Sequence, residues 1–457
     1  MNWKLDRCLW TLLGVGLLLR VVPLIFWGQD WGCVRDECTY LRLARRMAAG
    51  EGMTTSAGWL WAPGYPFLMA IFKKVIGWGD TIKGLQVIVS MLTGILIYRL
   101  AGRMGDAATA KRRARIVAGL YLLSPTQIFF TMSLWSECLY GALLLLALWV
   151  FLNAREGANE SLRNGLKGAV LLGVLVGCCM LFRGVATYMI PIFAVGLLWR
   201  QLSGIGVAQV GAMMLGTVLT VGPYSLYATK KFDDVVITDR TLGQMMWLGN
   251  NDFMSITFDW GNGTLSRRAW KRHTSQGRKP CGNKNDAIGR DQCQTEAGVE
   301  WIKANPEEFV RRMPVRVAQL LNPHSFLTRH LRWGEWRGLP QFVDEALIMW
   351  NLGWSLLVML VGSVGLCVRG RGASAILIGG ILLYHIAAIS LLAGLTRYRV
   401  PLEPLLMVFG GMVLADPRST LAELSGWRLL LCVTVLTVVV PLVLWYLPTG
   451  WMWWRTW

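Results

Sequence analysis

Long apolar runs separated by short polar connections dominate the chain. Runs of about 17–25 apolar residues are long enough to cross a bilayer as helices. The pattern predicts eleven spans, at 8–27, 82–102, 116–132, 134–153, 168–182, 184–199, 206–227, 346–368, 373–393, 400–415 and 428–447, of which 168–182, 184–199 and 400–415 fall just short of that length. The N-terminus, with Lys4 and Arg7 before LWTLLGVGLLL, resembles a secretory signal. Arg20 interrupts the run and no small-residue cleavage site follows, so it reads as a first membrane span.

Cations in the short connections set the orientation. Arg103, Lys111, Arg112, Arg113 and Arg115 follow the second span, Arg155, Arg163 and Lys167 the fourth, Arg200 the sixth, Arg369 and Arg371 the eighth, and Arg418 the tenth. All share one side if the N-terminus is cytoplasmic and the C-terminus outside. Three stretches then face outward: a first loop (28–81), the polar stretch 228–345 and a short turn, Leu395 to Arg399. The chain divides into an N-terminal membrane module (1–227), an extracytoplasmic region (228–345) and C-terminal membrane helices (346–457).

Periodicity within the first loop predicts one interfacial helix, and the resemblance described below implies a second. From Asp36, the residues Tyr40, Leu41, Ala44, Met47 and Ala48 recur at helical spacing, while Arg42, Arg45 and Arg46 face away, as in a helix lying along a membrane surface. Pro63-Gly64-Tyr65-Pro66 turns the chain into a second apolar segment ending at Lys73-Lys74. The loop carries six Lys/Arg between Trp31 and Asp80 on the translocated side, against the rule that orients the rest. The 228–345 region has 18 Lys/Arg against 14 Asp/Glu and one clear helical pattern, NPEEFVRRMPVRVAQLLN, starting at Asn305 or Pro306.

Composition agrees with a membrane protein: 54% hydrophobic, 16% charged and a mean hydropathy of +0.43, outside the soluble range. The 24 Trp suit interfacial belts, and the +19 net charge suits loops facing anionic lipid. No basic module interleaved with aromatics is present, so nucleic acid is not an expected partner. Cys33, Cys38, Cys281 and Cys293 fall outside. A Cys281–Cys293 bridge suits an oxidising compartment and a Cys33–Cys38 bridge is equally open; neither spacing is that of a zinc site. No P-loop, dinucleotide fingerprint or serine-hydrolase elbow occurs. No obligatory cofactor is expected, and a divalent metal is not predicted.

Asp36 and Glu37, adjacent at a helix start, are the candidate catalytic pair. One cap does not need two carboxylates, whereas a base and a substrate-positioning neighbour use both. Glu137 and Arg183 sit at the outer ends of spans, where ionisable groups mark function; the competing reading is that Glu137 only neutralises an arginine. Arg397 and Arg399 suit an external phosphate, since guanidinium forks grip phosphate oxygens. Arg20 and Arg99 are expected to snorkel.

These fragments together resemble the GT-C superfamily of membrane glycosyltransferases, in the branch of the protein O-mannosyltransferases and the lipid A aminoarabinose and galacturonic acid transferases. The matching pieces are Asp36-Glu37 with Tyr40, Ala62–Pro66, Ser136-Glu137, Leu181–Arg183, Gly222–Tyr224, Trp247–Asn250 and Arg397–Pro404. The resemblance implies an all-α polytopic fold with a small extracytoplasmic domain. It also implies inverting transfer of a sugar from a polyprenyl-phosphate donor to a lipid, glycan or protein acceptor. Asp36 would be the base and Glu37 a second contact. Tyr40, Arg42, Tyr65, Lys74, Glu137, Arg183, Asn250, Arg397, Tyr398 and Arg399 would bind substrate. One departure stands out: the aminoarabinose transferases carry Lys-Pro-Pro where this chain has Ala62-Pro63-Gly64, so another cation must meet the donor phosphate. The expected setting is a bacterial inner membrane with the site facing the periplasm. A flippase of a lipid-linked sugar and a non-catalytic assembly subunit are the alternatives.

Overall fold

The computed structural model describes residues 6–27, 33, 36–54, 60–77, 81–199, 204–252, 281, 287–332 and 339–444. Apart from isolated bridges Thr54–Leu60 and Leu60–Arg240, the regular structure there is helical. In chain order the helices are α1 (Arg7–Trp27), α2 (Asp36–Ala48), α3 (Gly64–Ile76), α4 (Ile82–Arg103), α5 (Ala110–Leu122), α6 (Pro125–Met132), α7 (Glu137–Glu160), α8 (Leu162–Phe182), α9 (Ile190–Leu198) and α10 (Gly204–Phe232). There follow α11 (Leu242–Gly249), α12 (Ala287–Ala304), α13 (Pro306–Leu321), α14 (Phe326–Arg332), α15 (Gln341–Arg369), α16 (Gly372–Leu391), α17 (Glu403–Ala415), α18 (Pro417–Ala422) and α19 (Gly426–Leu444).

Eight of these helices are long and apolar enough to span: α1, α4, α7, α8, α10, α15, α16 and α19. The chain is an integral membrane protein of the expected all-helical class. The other three predicted spans are shorter or broken. In the run 116–132, Ser124 accepts a hydrogen bond from Gln127 N and Pro125 follows, so α6 starts afresh where α5 ends. The run 184–199 begins as a 3-10 turn, Gly184–Met189, before α9. α17 has 13 residues, about 20 Å at 1.5 Å per residue, against a hydrocarbon core of about 30 Å. At the borders of the 228–345 region, α10 continues to Phe232 and α15 begins at Gln341.

Polar side chains tie the bundle together, as expected where lipid offers no hydrophobic gain between helices. Gln209 Nε2 on α10 donates to Ala154 O on α7 at 2.8 Å, and Thr217 Oγ1 donates to Gly173 O on α8 at 3.1 Å. Arg20 does not snorkel. It is fully buried and donates to Ser90 Oγ on α4 (3.0 Å), Leu122 O on α5 (2.8 Å) and Gly16 O (2.9 Å), so neighbouring helices supply the oxygens that water otherwise would. Arg99 is exposed near the end of α4.

α2 and α3 form the amphipathic pair in the first loop. Ala44 packs with Tyr65, Met69 and Ala70, flanked by Tyr40, Leu41, Met47 and Ala48, while Arg42 and Arg45 are exposed. On α3, Phe67, Ile71 and Val75 are exposed at four-residue spacing, an apolar stripe suited to lipid. Disulfides join Cys33 to Cys38 and Cys281 to Cys293.

A candidate active site at one end of the bundle

The helix ends of α2, α7, α8 and α16, with the 3-10 turn Thr396–Arg399, enclose a cavity of about 420 Å³. Asp36 opens α2, where the dipole favours a carboxylate. Its Oδ2 lies 2.7 Å from Arg397 Nη1, and both line the cavity. Glu137, first residue of α7, has no exposed side-chain surface; its Oε1 meets Arg183 Nη1 at 2.5 Å and Arg397 Nε at 3.9 Å. Asp36, Arg397, Glu137 and Arg183 thus form a chain of alternating charge, assembled from residues 361 positions apart at its widest pair.

Aromatic rings hold the guanidinium groups. Arg397 Cζ lies 4.7 Å from the Trp135 ring and 5.3 Å from Tyr398, and Arg183 Cζ lies 5.2 Å from Tyr398 and 5.9 Å from Tyr140, within cation–π range. Burial opposes the charge on Arg397, but Tyr398, Asp36 and Glu137 outweigh it and hold its pKa well above the usual value. The network is not saturated: Arg397 Nε and Glu137 Oε2 have no hydrogen-bond partner among the described residues. Tyr40 lies one turn beyond Asp36, its hydroxyl 3.4 Å from Ser136 Oγ and its ring edge-on to Trp61 and Tyr65. Burial, reinforced by the Glu137 charge, pushes its phenol up to about 12, so it serves as a neutral hydrogen-bonding group.

Other sequence candidates lie away from the cavity wall. Glu37 is buried and its Oε1 accepts from Leu134 N at 2.8 Å; it fastens α2 to the α6–α7 connection. Tyr65 is buried behind Tyr40 and donates to Gln86 Oε1 at 2.9 Å. Arg399 is buried, with Nε 2.9 Å from Glu403 Oε1 and Nη1 2.5 Å from Asn322 O, which locks the 3-10 turn to α13 and α17. Asn250 is buried, accepting from Arg316 Nη2 at 2.8 Å and donating to Leu391 O at 3.1 Å. Arg42 is exposed, 3.4 Å from Thr39 Oγ1, and Lys74 is exposed near the end of α3. Of the Ala62-Pro63-Gly64 departure, only the glycine has a steric basis, and nothing in the structure explains Ala62 in place of lysine. A Cβ on Gly64 would stand 2.8 Å from Leu181 O and 2.7 Å from Phe182 Cδ2, so a larger residue there would force α3 away from α8.

Several cavity residues escaped the sequence reading: Trp61, Asp239, Thr241, Gln244, Tyr384 and His385. Asp239 is half-buried. Its Oδ2 accepts from Thr241 Oγ1 at 2.9 Å and its Oδ1 lies 3.5 Å from Thr238 Oγ1. Burial pushes its pKa up to about 6 against these hydrogen bonds. His385 lies on a spanning helix with Nδ1 2.8 Å from Ile381 O, a signal that one ionisable residue in an apolar run could have given. No group of three or more His, Cys, Asp or Glu is poised for a metal among the described residues.

No protein-family model matches the chain, and no curated protein is similar to it in sequence. Solved structures do match. The oligosaccharyltransferase AglB of Archaeoglobus fulgidus, in complex with an inhibitory peptide and a dolichol-phosphate, superposes with a TM-score of 0.50 at 14% identity, over 96% of this chain and 54% of that one. The apo form of the same organism's oligosaccharyltransferase gives 0.51 at 12% identity, over 96% and 55%. ArnT from Cupriavidus metallidurans bound to undecaprenyl phosphate gives 0.44 at 13% identity, over 91% and 79%. The chain spans about half the length of the oligosaccharyltransferases it matches. Its fold is that of the GT-C membrane glycosyltransferases.

Proposed function

We propose that the chain is an inverting glycosyltransferase that moves a sugar from a polyprenyl phosphate to an acceptor on the outer face of a bacterial inner membrane. The observation that carries this reading is the Asp36–Arg397–Glu137–Arg183 network at the wall of the cavity. A phosphate held by Arg183 and Arg397 becomes a usable leaving group once preorganised guanidinium groups meet its growing charge. The unpartnered Nε of Arg397 is a donor still to be used. As Arg397 turns to the phosphate it releases Asp36, which takes the proton of the acceptor hydroxyl. The acceptor oxygen bonds to the anomeric carbon, and the carbon–oxygen bond to phosphate breaks with its electron pair on the phosphate.

Inversion is favoured because Glu37, the carboxylate next to Asp36, is committed to Leu134 N and is not free to act as a nucleophile opposite an acid. Each carboxylate of the network already has a guanidinium partner, so the reading calls for no metal ion. The dolichol-phosphate of the archaeal complex supports a prenyl-linked donor. A flippase would place its ionisable groups near the midplane of repeated halves; the Asp36, Glu137, Arg183 and Arg397 network lies instead at helix ends, which speaks for chemistry at a surface.

The test is mass spectrometry of envelope glycolipids and glycoproteins from cells with and without the protein. A glycan that disappears from one acceptor class, and returns with wild-type protein but not with Asp36→Asn, is expected. An unchanged glycan profile with undiminished lipid-linked sugar on the inner leaflet would remove the transferase reading.

A further inference from the structure

Beyond the charged network, the cavity is walled by the segment Thr238–Thr241 that follows α10. Three of the acidic residues that line the cavity are Asp36, Asp239 and Asp291. Asp36 is paired with Arg397. Asp291 accepts from Gly243 N at 2.7 Å and stands 4.0 Å from Arg240 Nη1. Asp239 differs: its hydrogen bonds come from two threonine hydroxyls, and among the described residues no cation lies within ion-pair distance of it. Arg240 beside it is taken up by Asp234 at 2.9 Å and Val235 O at 2.5 Å. A carboxylate left without a cation at a half-buried wall carries acceptor capacity that only an entering group can use.

Its position is built rather than incidental. Arg240 N donates to Leu60 O at 2.9 Å, which pins this segment to the first loop beside Trp61. Gly184 then supplies the space: a Cβ there would lie 2.1 Å from Asp239 Oδ1. The residue before Gly184 is Arg183, whose guanidinium holds Glu137. One dipeptide therefore carries a phosphate-binding cation on one residue and backs the Asp239 carboxylate with the next. In a prenyl-phosphate sugar the ring is joined directly to the phosphate, so the groups that read its hydroxyls must stand next to the groups that hold its phosphate.

Resting on the glycosyltransferase reading, we propose that Asp239 is the sugar-reading residue of this cavity. It accepts hydrogen bonds from ring hydroxyls of an uncharged sugar and disfavours a uronic acid, whose carboxylate would meet Asp239 and Asp291 together. Gly184 is the positioning residue that lets Asp239 sit there.

The test uses full-length protein in lipid nanodiscs with two synthetic undecaprenyl-phosphate donors, one carrying a neutral hexose and one the matching hexuronic acid. The wild type should transfer the neutral sugar and prefer it at least tenfold by kcat/KM. Asp239→Asn, an isosteric change that keeps the threonine contacts, should raise the donor KM about tenfold and shrink that preference, with kcat less affected. Gly184→Ala should reproduce the KM effect by displacing the carboxylate, with folding checked by size-exclusion chromatography. A wild type that transfers while Asp239→Asn keeps both KM and preference overturns the assignment and leaves the glycosyltransferase reading standing. Preference for the uronic acid does the same. No transfer from either donor overturns both.

Discussion

At the scale of single residues, Arg397 and Arg399 predict opposite phenotypes. Arg397 lines the cavity and spans Asp36 and Glu137, so Arg397→Ala should remove transition-state stabilisation worth about 10²-fold or more in turnover and largely keep the fold. Arg399 is buried against Glu403, and Arg399→Ala should strand that carboxylate at a cost of about 3–5 kcal/mol. Turnover assays alongside thermal unfolding in detergent separate the two. The sequence placed both arginines on the correct turn but not on different faces of it. The turn is 3-10, at about three residues per turn, so side chains two positions apart point roughly 120° away from each other. The same limit applies to Asp36 and Glu37: adjacency was legible, but which carboxylate faces the cavity depended on Leu134 N. Asp239 went unread because nothing in its own neighbourhood, VVITDRTLG, marks it until Gly184 and Leu60 are brought beside it.

Asp239 also predicts a pH effect with a definite sign. Its pKa is raised by burial to about 6, so it gains a proton as pH falls through 6 and loses the charge that accepts hydroxyl hydrogen bonds. Donor KM should therefore rise below pH 6 in the wild type. In Asp239→Asn that rise should be absent, which initial-rate profiles between pH 5 and 8 will check.

At the scale of elements, α2 does its work because both sides of its first turn are tethered. The Cys33–Cys38 disulfide crosses Asp36 and Glu37 in sequence, and Glu37 bonds to Leu134 N. Cys33 is exposed, so a reductant can reach the bridge. The double variant Cys33→Ser with Cys38→Ser should lose transfer towards the roughly 10²-fold that a displacement of about 1 Å brings. Dithiothreitol should slow the wild type similarly and slow the double variant less, since only the Cys281–Cys293 bridge is left to reduce there; equal rates with and without the Cys33–Cys38 bridge would show that α2 holds Asp36 by packing alone. The helical period was strong enough to read α2 from sequence, while α3 was legible only as a short apolar segment and as a helix through the family resemblance. The break at Ser124-Pro125 was not read, because a hydropathy run averages over a single capping residue, whereas that at Arg183-Gly184 was legible as the turn between two predicted spans. Both breaks matter, since the second break is where a span stops short and presents Arg183 to the cavity.

At the scale of the whole molecule, the cations of the short connections and the cavity occupy opposite ends of the helices. Arg103, Arg113 and Arg369 line a separate hollow with Asp106 and Asp416; Glu156, near the last turn of α7, lines it too, whereas Glu137 of the charged network is the first residue of that helix. If the positive-inside bias sets orientation, Lys74→Cys in intact cells should react with a membrane-impermeant maleimide, and Lys111→Cys only after permeabilisation. The reverse pattern would put the cavity in the cytoplasm and the donor on the inner leaflet. That the bundle is helical and membrane-spanning was legible from hydropathy. That residues from α2, α7, α8 and the Thr396–Arg399 turn meet was legible only as a shared side, because hydropathy fixes depth and not lateral neighbours.

The most direct measurement is transfer by purified protein in nanodiscs from a radiolabelled undecaprenyl-phosphate sugar to extracted envelope acceptors, with Asp36→Asn in parallel. The account predicts label moved to acceptor by the wild type, with the anomeric configuration inverted, and loss of that transfer in a variant that elutes and melts like the wild type. Full transfer by a folded Asp36→Asn protein, or product with retained configuration, would contradict it.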